Sequence, residues 1–364
     1  MNAGSATGIQ SIQTGKENLD PFFNGVTRSS SLTASVKSLE RGYALQETSS
    51  TRLRITLRSG TRQGWSAFLW VMKIVVPISL VTAILEFSGW TYTLVAWLKP
   101  AMGWLSLPPE AALPIITGLL IGIYGGIGVM ATLPLTADQM TLIAVFLLIA
   151  HNLIQEGIIQ GNSGIHIFKA TVSRLLVAIL AVVVVARFMA SDTTTPLSDA
   201  TSGPVALGFV QTLKNWSVDT AGLSLKMLVI VMVVMVVMEG IKTFQLTDRV
   251  LEGLAPVLKI MGLDKKVGFL WMTGAFFGIA YGGAVIVQES RRQGFAREDI
   301  EKLHLSIGVN HSIIEDPALF LSFGLSPFWM WVPRLVAALI IVYVVGLWHR
   351  SRRFIKRLRS VSDR

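Results

Sequence analysis

Two short segments place an imidazole and carboxylates close together within apolar sequence. His151 is followed by Glu156, and His311 is followed by Glu315 and Asp316. On a helix such spacings keep the side chains within about one turn of each other. A histidine–carboxylate pair can relay protons, coordinate a hard or borderline cation, or hydrogen-bond a polar solute. Ionisable groups inside a membrane usually line a pathway or pair internally. These residues are therefore interpreted either as contacts for a solute or as an internal pair that fixes an unwound helix.

The two segments belong to two copies of one longer unit. Each copy has a glycine-rich segment, then the histidine with its acid, then an arginine 23 residues after the histidine (Arg174 and Arg334). The glycine-rich segments read Gly118-x3-Gly122-Ile-Tyr124-Gly125-Gly126 and Gly274-x3-Gly278-Ile-Ala-Tyr281-Gly282-Gly283. The offset between matched residues grows from 153 at Lys73 and Lys226 to 160 at the histidines. Length differences that fall between matched blocks indicate a duplication with variable connections.

A candidate substrate-binding set follows from these patterns. Its members are polar or glycine residues of the matched segments and their neighbours: His151, Asn152, Glu156, Tyr124, Gly125, Gly126, His311, Glu315, Asp316, Tyr281, Gly282, Gly283, Gln288 and Glu289. The Tyr-Gly-Gly segments are interpreted as hairpin tips that expose backbone groups, with close helix packing as the alternative. Amides suit a nucleoside, whereas carboxylates also suit a divalent cation. The two arginines are interpreted as interfacial anchors or ion-pair partners.

The composition is that of a polytopic membrane protein. The 364 residues are 52% hydrophobic and 15% charged, and the mean hydropathy is +0.58. Several runs approach the roughly 20 apolar residues that cross a bilayer. The absence of cysteine excludes disulfides and thiolate metal sites. Although the net charge is +10, the Lys and Arg residues are concentrated in the two tails without interleaved aromatic residues, so no nucleic-acid partner is expected.

The predicted fold is an all-α polytopic membrane protein of two inverted repeats, each with about three spans and a re-entrant helical hairpin. The domains are a disordered basic tail (1–64), the first repeat (65–189), an external linker (190–225), the second repeat (226–349) and a basic tail (350–364). A re-entrant hairpin, rather than a crossing segment, puts the acidic linker outside and the basic residues around the second hairpin inside. An odd number of crossings per repeat inverts the second copy. The protein is then expected in the cytoplasmic (inner) membrane, with both termini on the cytoplasmic side.

At the Gly-x3-Gly-Ile-x-Tyr-Gly-Gly, histidine–acid and arginine motifs, the chain resembles the Gate domain family, also called the nucleoside-recognition domain. Its relatives include the membrane part of Feo-type ferrous-iron transporters, spore-maturation membrane proteins and, distantly, concentrative nucleoside transporters. The resemblance covers about residues 65 to 350. It implies a permease-like protein, with nucleosides first among substrates. The chain lacks a GTP-binding domain and any cysteine, so nucleotide-driven transport and thiolate iron ligands are not implied.

The sequence therefore predicts a permease that moves a small polar solute through a midplane site, nucleoside-type favoured. A divalent-cation transporter and a non-transporting scaffold of the spore-maturation type are the alternatives. No enzyme is expected, because no hydrolase signature is present. No cofactor is expected either, and coupling to a proton or sodium gradient is left open. The expected partners are the lipid bilayer and the small polar solute or cation, and homo-oligomerisation is also left open.

Overall fold

The computed structural model describes residues 49–89, 98–189, 208–263, 265–293 and 295–362. Every regular element within these ranges is helical. The first seven α-helices are α1 (Ser49–Phe87), α2 (Leu98–Trp104), α3 (Ala112–Ile121), α4 (Ile123–Met130), α5 (Ala137–Ala150), α6 (Leu153–Asn162) and α7 (Ile167–Ala186). The remaining six are α8 (Phe209–Thr243), α9 (Thr247–Ile260), α10 (Lys265–Gln293), α11 (Arg297–Val309), α12 (Glu315–Phe320) and α13 (Pro327–Ser362). The chain divides into two units, Met1–Arg54 and Ile55–Arg364, and the second unit contains the rest of α1 and all the other helices.

Five helical segments are long and apolar enough to cross a bilayer, and a sixth span arises if α2 and the bent segment Pro109–Ile121 count as one. The segment Ala137–Asn162 is the most enclosed, with 67% of its apolar window buried, against 17% for α8. Apolar residues on the outer helices, such as Leu180, Val229 and Ile340, are more than half exposed. Such exposure is compatible only with a lipid environment. The predicted class, an all-α polytopic membrane protein, is confirmed, with five to six candidate spans.

Each half of the chain contains a helical hairpin that turns at one glycine. Gly122 separates α3 from α4 with φ 117° and ψ 178°, and Gly278 interrupts α10 with φ 74° and ψ 169°. These dihedral angles fall in a region that is essentially restricted to glycine. After the first turn, a Cβ on Gly126 would lie 3.1 Å from the Pro114 carbonyl oxygen. After the second turn, Ile286 returns to the side of Gly274. The two segments therefore fold back on themselves, as the hairpin prediction requires.

The position of the first tip was predicted incorrectly. Tyr124, Gly125 and Gly126 lie within α4, and the amides of both glycines bond to the Gly122 carbonyl. Gly126 is buried, because a Cβ there would lie 2.4 Å from a Leu147 methyl group. Glycine is needed at this point for close helix packing, which was the alternative interpretation. The strained position that makes the turn is Gly122.

A second break occurs in each half at the histidines. α5 ends at Ala150, His151 is extended and Asn152 adopts a left-handed conformation with φ 50°. In the second half, α11 ends at Val309 and Ser312 adopts the matching conformation with φ 46°. Non-glycine residues rarely occupy this region, so its repetition at an offset of 160 marks the same local structure.

Three helices extend beyond the predicted domain boundaries, and one of them is α13, which continues to Ser362 inside the predicted basic tail. α1 begins at Ser49, inside the segment predicted to be a disordered tail, and α8 begins at Phe209 rather than near Lys226. Trp216, inside the predicted linker, donates from Nε1 to Ser79 Oγ at 3.1 Å. This part of α8 therefore packs against α1, although the distribution of charges had predicted that it belongs to the external linker. Predictions for residues 1–48, 90–97 and 190–207 lie outside the described residues.

Candidate functional site

The histidines of the two halves meet side by side in the interior. The Nε2 atoms of His151 and His311 are 3.3 Å apart, although 160 positions separate the residues in sequence. Both side chains are buried, with 6% and 1% of their surface exposed. Their Nδ1 atoms lie 2.8 Å and 3.2 Å from the carbonyl oxygens of Leu147 and Ile307, each four residues earlier. Because a carbonyl only accepts, Nδ1 carries a proton in both rings, and both Nε2 atoms point into the centre.

Two buried carboxylates complete this group, which we call the histidine centre (His151, Glu156, His311 and Asp316). Glu156 Oε1 lies 3.5 Å from Nε2 of His151 and 3.3 Å from Nε2 of His311. Asp316 Oδ2 lies 3.6 Å from Nε2 of His151 and has no hydrogen-bond partner among the described residues. His151, His311 and Asp316 each offer one ligand atom, and these atoms lie within 4.8 Å of one another. The predicted histidine–acid pairs are therefore combined into one cluster.

The arginines hold the broken helix ends from behind. Arg174 donates from Nε to the Ile149 carbonyl at 3.0 Å and from Nη2 to the His151 carbonyl at 2.9 Å. Arg334 makes the matching bonds to the carbonyls of Val309 and His311. These carbonyls lack helical partners because the helices end there, and a planar guanidinium can reach two of them at once. Both arginines are buried, which excludes the interfacial-anchor interpretation.

Only one arginine forms an ion pair with a carboxylate of the centre. Arg174 Nη1 lies 2.8 Å from Glu156 Oε2. Among the described residues, no salt bridge within 4 Å joins Arg334 to Asp316, whose nearest basic partner is His151 at 3.6 Å. The predicted ion pair is thus present in the first half. The matched half keeps its guanidinium and carboxylate apart.

One predicted pair contacts across the two halves outside the centre. The Tyr124 hydroxyl donates to Glu315 Oε1 at 2.8 Å. The Tyr124 ring stacks edge-on against Trp70 with centroids 5.2 Å apart. Glu315 therefore does not contribute to the histidine centre directly, although it is adjacent in sequence to Asp316. Its bond links the first hairpin to the broken helix of the second half.

The structure does not bring every predicted site residue to the centre. Asn152 donates its side-chain amide to Gln155, and its backbone amide bonds to the Gly118 carbonyl. Gln288 is exposed, and Glu289 pairs with Arg292 one turn further along the same helix. Tyr281, Gly282 and Gly283 lie in the helical part of α10 that follows the break at Gly278. The break at Gly278 lies three residues before Tyr281, and the break at Gly122 lies two residues before Tyr124.

Two buried polar residues near the centre were missed. Gln160 donates from Nε2 to the His304 carbonyl at 2.9 Å, and both residues are at most 2% exposed. The first copy has no histidine at the position that matches His304, so the duplication does not single out this residue. The sequence feature that could have indicated His304 is the helical spacing of Glu301, His304, Gly308 and His311.

A cluster of charged side chains lies near the N-terminal end of α11, outside the five candidate spans. Glu301 is buried and accepts bonds from Lys169, from Arg297 Nε at 3.2 Å and from His349 Nε2 at 2.9 Å. Burial by itself would raise the pKa of Glu301, but the hydrogen bonds from Lys169 and His349 outweigh it and hold the pKa below its ordinary value. The carboxylate therefore stays ionised and ties α7 and α13 to α11.

The fold defines the chain as a helical membrane protein, and its interior contains a cluster of buried ionisable side chains. It is similar to a protein of Bacillus subtilis (strain 168) described as the uncharacterized membrane protein YvoD. The two are 24% identical over 290 residues, which cover 79% of this chain and 93% of the relative. No protein-family model and no solved structure matches the chain. The similarity supports the membrane class and leaves the function to be argued from the site.

Proposed function

We propose that this protein is a secondary transporter that carries a divalent first-row transition-metal cation through the histidine centre. One observation supports the proposal above all others. Two imidazole Nε2 atoms from opposite halves of the chain face each other at 3.3 Å, with two carboxylate oxygens beside them. Buried ionisable groups inside a membrane are costly, and they are usually retained for transport.

The protonation pattern favours a positive species at this position. Because both Nδ1–H groups are used by backbone carbonyls, the Nε2 atoms of the neutral rings carry lone pairs. Two lone pairs and two carboxylates repel each other unless a positive species lies between them. A metal-bound histidine usually donates its other N–H to a carbonyl or carboxylate, and this arrangement is present in both rings.

The spacing of the atoms favours a metal ion. In a tetrahedral site with bonds of about 2.0–2.2 Å, neighbouring ligand atoms are about 3.3–3.6 Å apart. Four of the six pairs of ligand atoms are 3.3, 3.3, 3.5 and 3.6 Å apart, and the ligand atoms of His151, His311 and Asp316 all lie within 4.8 Å of one another. Two imidazoles with two carboxylates suit Zn²⁺, Fe²⁺, Co²⁺ or Mn²⁺, whereas Ca²⁺ and Mg²⁺ prefer oxygen ligands alone.

The pairing of Glu156 suits a transported ion better than a structural one. Arg174 already holds the second oxygen of this carboxylate at 2.8 Å. A guanidinium beside the ligand lowers the affinity for a divalent cation, because like charges repel strongly in a low dielectric. Binding that is too tight would prevent release, so a weakened fourth ligand favours turnover.

The centre fits a nucleoside less well, although that class headed the predictions from sequence. The four side chains are in contact and at most 6% exposed. The amides that favoured a nucleoside are used elsewhere, since Asn152 pairs with Gln155 and Gln288 is exposed. A single ion fits among the ligand atoms of His151, His311 and Asp316, which lie within 4.8 Å of one another, whereas a nucleoside does not.

The repeated geometry supports an inverted-repeat mechanism. Hairpins turning at Gly122 and Gly278, left-handed breaks at Asn152 and Ser312, and arginine clamps recur in both halves. In such transporters the two halves rock about a central site and open it to each side in turn. The proposed orientation has an odd number of crossings per half, with both termini in the cytoplasm and the charge distribution as its basis.

Uptake into proteoliposomes tests the proposal. The panel is Mn²⁺, Fe²⁺, Co²⁺ and Zn²⁺, with Mg²⁺, Ca²⁺ and labelled nucleosides for comparison. We expect saturable uptake of at least one transition metal, lost on combined His151→Gln and His311→Gln substitution. Binding of Co²⁺ in detergent should give the visible absorption of a tetrahedral nitrogen and oxygen site.

The matched control is His166→Gln, since this exposed histidine caps α7 and does not contact the centre. It should transport as the wild type does. Uptake of nucleosides alone would replace the cation proposal. A folded protein that neither binds nor moves any member of the panel would favour a scaffold.

A further inference from the structure

α11 carries a line of buried polar residues from one end of the bundle to the histidine centre. Glu301, His304 and Gly308 follow at helical spacing on one face, and His311 comes just after the end of the helix. All four are buried. The helix rise from Glu301 to His311 is about 15 Å, roughly half the thickness of a bilayer core.

Polar side chains of three neighbouring helices lie along these positions. Lys169 of α7 and His349 of α13 bond to Glu301. Gln160 of α6 donates to the His304 carbonyl. A Cβ on Gly308 would lie 3.0 Å from Arg174 Cδ and 3.1 Å from Gln160 Nε2, so both side chains cross this face of α11. Arg174 then reaches Glu156 and the centre.

Two buried atoms along this line lack partners. His304 Nε2 and Gln160 Oε1 have no hydrogen-bond partner among the described residues. Buried polar atoms without partners are rare and call for an explanation such as a water, an ion or a functional role. An imidazole with a free nitrogen can take up a proton and pass it on.

The matched face of the first half has no such line. At an offset of 160, the residues are Thr141, Ala144 and Leu148 of α5. All three are buried, and Ala144 and Leu148 belong to the central hydrophobic cluster. The polar line therefore exists on one side of the centre only, and the duplication by itself does not account for it.

We propose that His304, beside Gln160, passes protons between the Glu301 end of the bundle and the histidine centre. The inference rests on the proposed function, because it couples cation movement to proton movement. A proton that enters at the Glu301 end binds Nε2 of the neutral His304, and the imidazolium then passes this proton from Nε2 through a bridging water to Nε2 of a neutral histidine of the centre, so that His304 is neutral again. The reverse transfer returns a proton to the Glu301 end.

The path suits protons and not the metal cation. Arg174 lies across it between His304 and Glu156, and its buried guanidinium repels a divalent ion. A proton moves by transfer between neutral groups and bridging waters, so it does not have to displace the arginine. The cation must enter by another route, such as the interface where the two hairpins approach the centre.

Proton flux in proteoliposomes tests the path, with an internal pH dye and an imposed potassium diffusion potential. His304→Gln keeps a polar side chain that cannot carry a proton, and His304→Leu removes polarity altogether. We expect either variant to lower the proton flux at least tenfold, measured with and without Co²⁺. The matched control is Ser306→Ala, because Ser306 is buried on the opposite face of α11 and bonds to its own helix.

Equilibrium binding of Co²⁺ in detergent separates this inference from the proposed function. His304→Gln should bind Co²⁺ as tightly as the wild type, since His304 does not belong to the centre. Wild-type proton flux in His304→Gln, or no proton flux in the wild type under either condition, would overturn the path. If the wild type does not bind Co²⁺, the proposed transport of a metal cation is wrong. The proton-flux measurement then tests the path independently of that proposal.

Discussion

Asp316 Oδ2 lies 3.6 Å from Nε2 of His151, a histidine of the other half of the chain. The reciprocal contact joins Glu156 of the first half to His311 of the second at 3.3 Å. Each half thus supplies the acid for the other half's histidine. The histidine centre exists only when the two halves are packed together, so relative movement of the halves would change its coordination.

Replacement of Arg174 should destabilise the protein more than its charge alone suggests. Arg174→Ala leaves Glu156 as an uncompensated buried charge and frees two carbonyls, and the loss of one partner of a buried pair costs about 3–5 kcal/mol. Arg174→Lys keeps the charge but loses the fork that reaches several acceptors, so it should be intermediate. Thermal unfolding in detergent measures both effects.

Arg187→Ala is the control for this series, because Arg187 is exposed at the end of the same helix. Its unfolding midpoint should match that of the wild type. An unchanged midpoint in Arg174→Ala would show that the clamp contributes nothing to stability.

The two hairpin glycines should differ in their tolerance of alanine. Both have backbone angles that other residues avoid, at about 1–3 kcal/mol each. At Gly278 a Cβ would also lie 2.5 Å from Ser312 Oγ, whereas at Gly122 the nearest atoms are 3.9 Å away. Gly278→Ala should therefore unfold at a lower temperature than Gly122→Ala.

Gly103→Ala serves as the comparison, since a Cβ there meets nothing within 4 Å and the residue lies in α2. Alanine in a helix is about 1 kcal/mol more favourable than glycine, so this variant should equal or exceed the wild type in stability. Equal losses at Gly278 and Gly103 would contradict the hairpin interpretation.

The Glu301 cluster should make stability depend on pH in the acid range. The pKa of Glu301 is held below its ordinary value in the folded protein by Lys169 and His349, although burial opposes this. A depressed folded pKa gives a contribution that is complete above the unfolded pKa and is lost as the pH falls through the folded pKa. Unfolding midpoints between pH 3 and pH 6 measure it, with about 4.3 as the unfolded reference.

Glu301→Gln should lower stability at neutral pH and remove most of this acid-range dependence. Asp138→Asn, in the first turn of α5, tests an acid at the start of the corresponding helix. An acid-range slope that is the same in Glu301→Gln and the wild type would mean that other carboxylates carry it.

The sequence alone was sufficient to identify the residues of the centre and to show that they belong to two copies of one unit. Ionisable side chains are rare in apolar sequence, so His151, Glu156, His311 and Asp316 were visible without a structure. Membrane class and the helical hairpins also followed, because apolar length and glycine pairs are local properties of the chain. The tip was misplaced because any glycine of the segment can turn, and packing against Leu147 selects which ones remain helical.

Only the tertiary structure decided which groups meet. The crosswise contacts, the Tyr124 bond to Glu315 and the position of Gln160 against His304 join residues more than 140 positions apart. Such contacts depend on how helices pack, and neither periodicity nor composition encodes the distance between two side chains on different helices. The sequence therefore determined the chemical groups and the helices that carry them, and packing of the two halves determined that four of those groups form one centre.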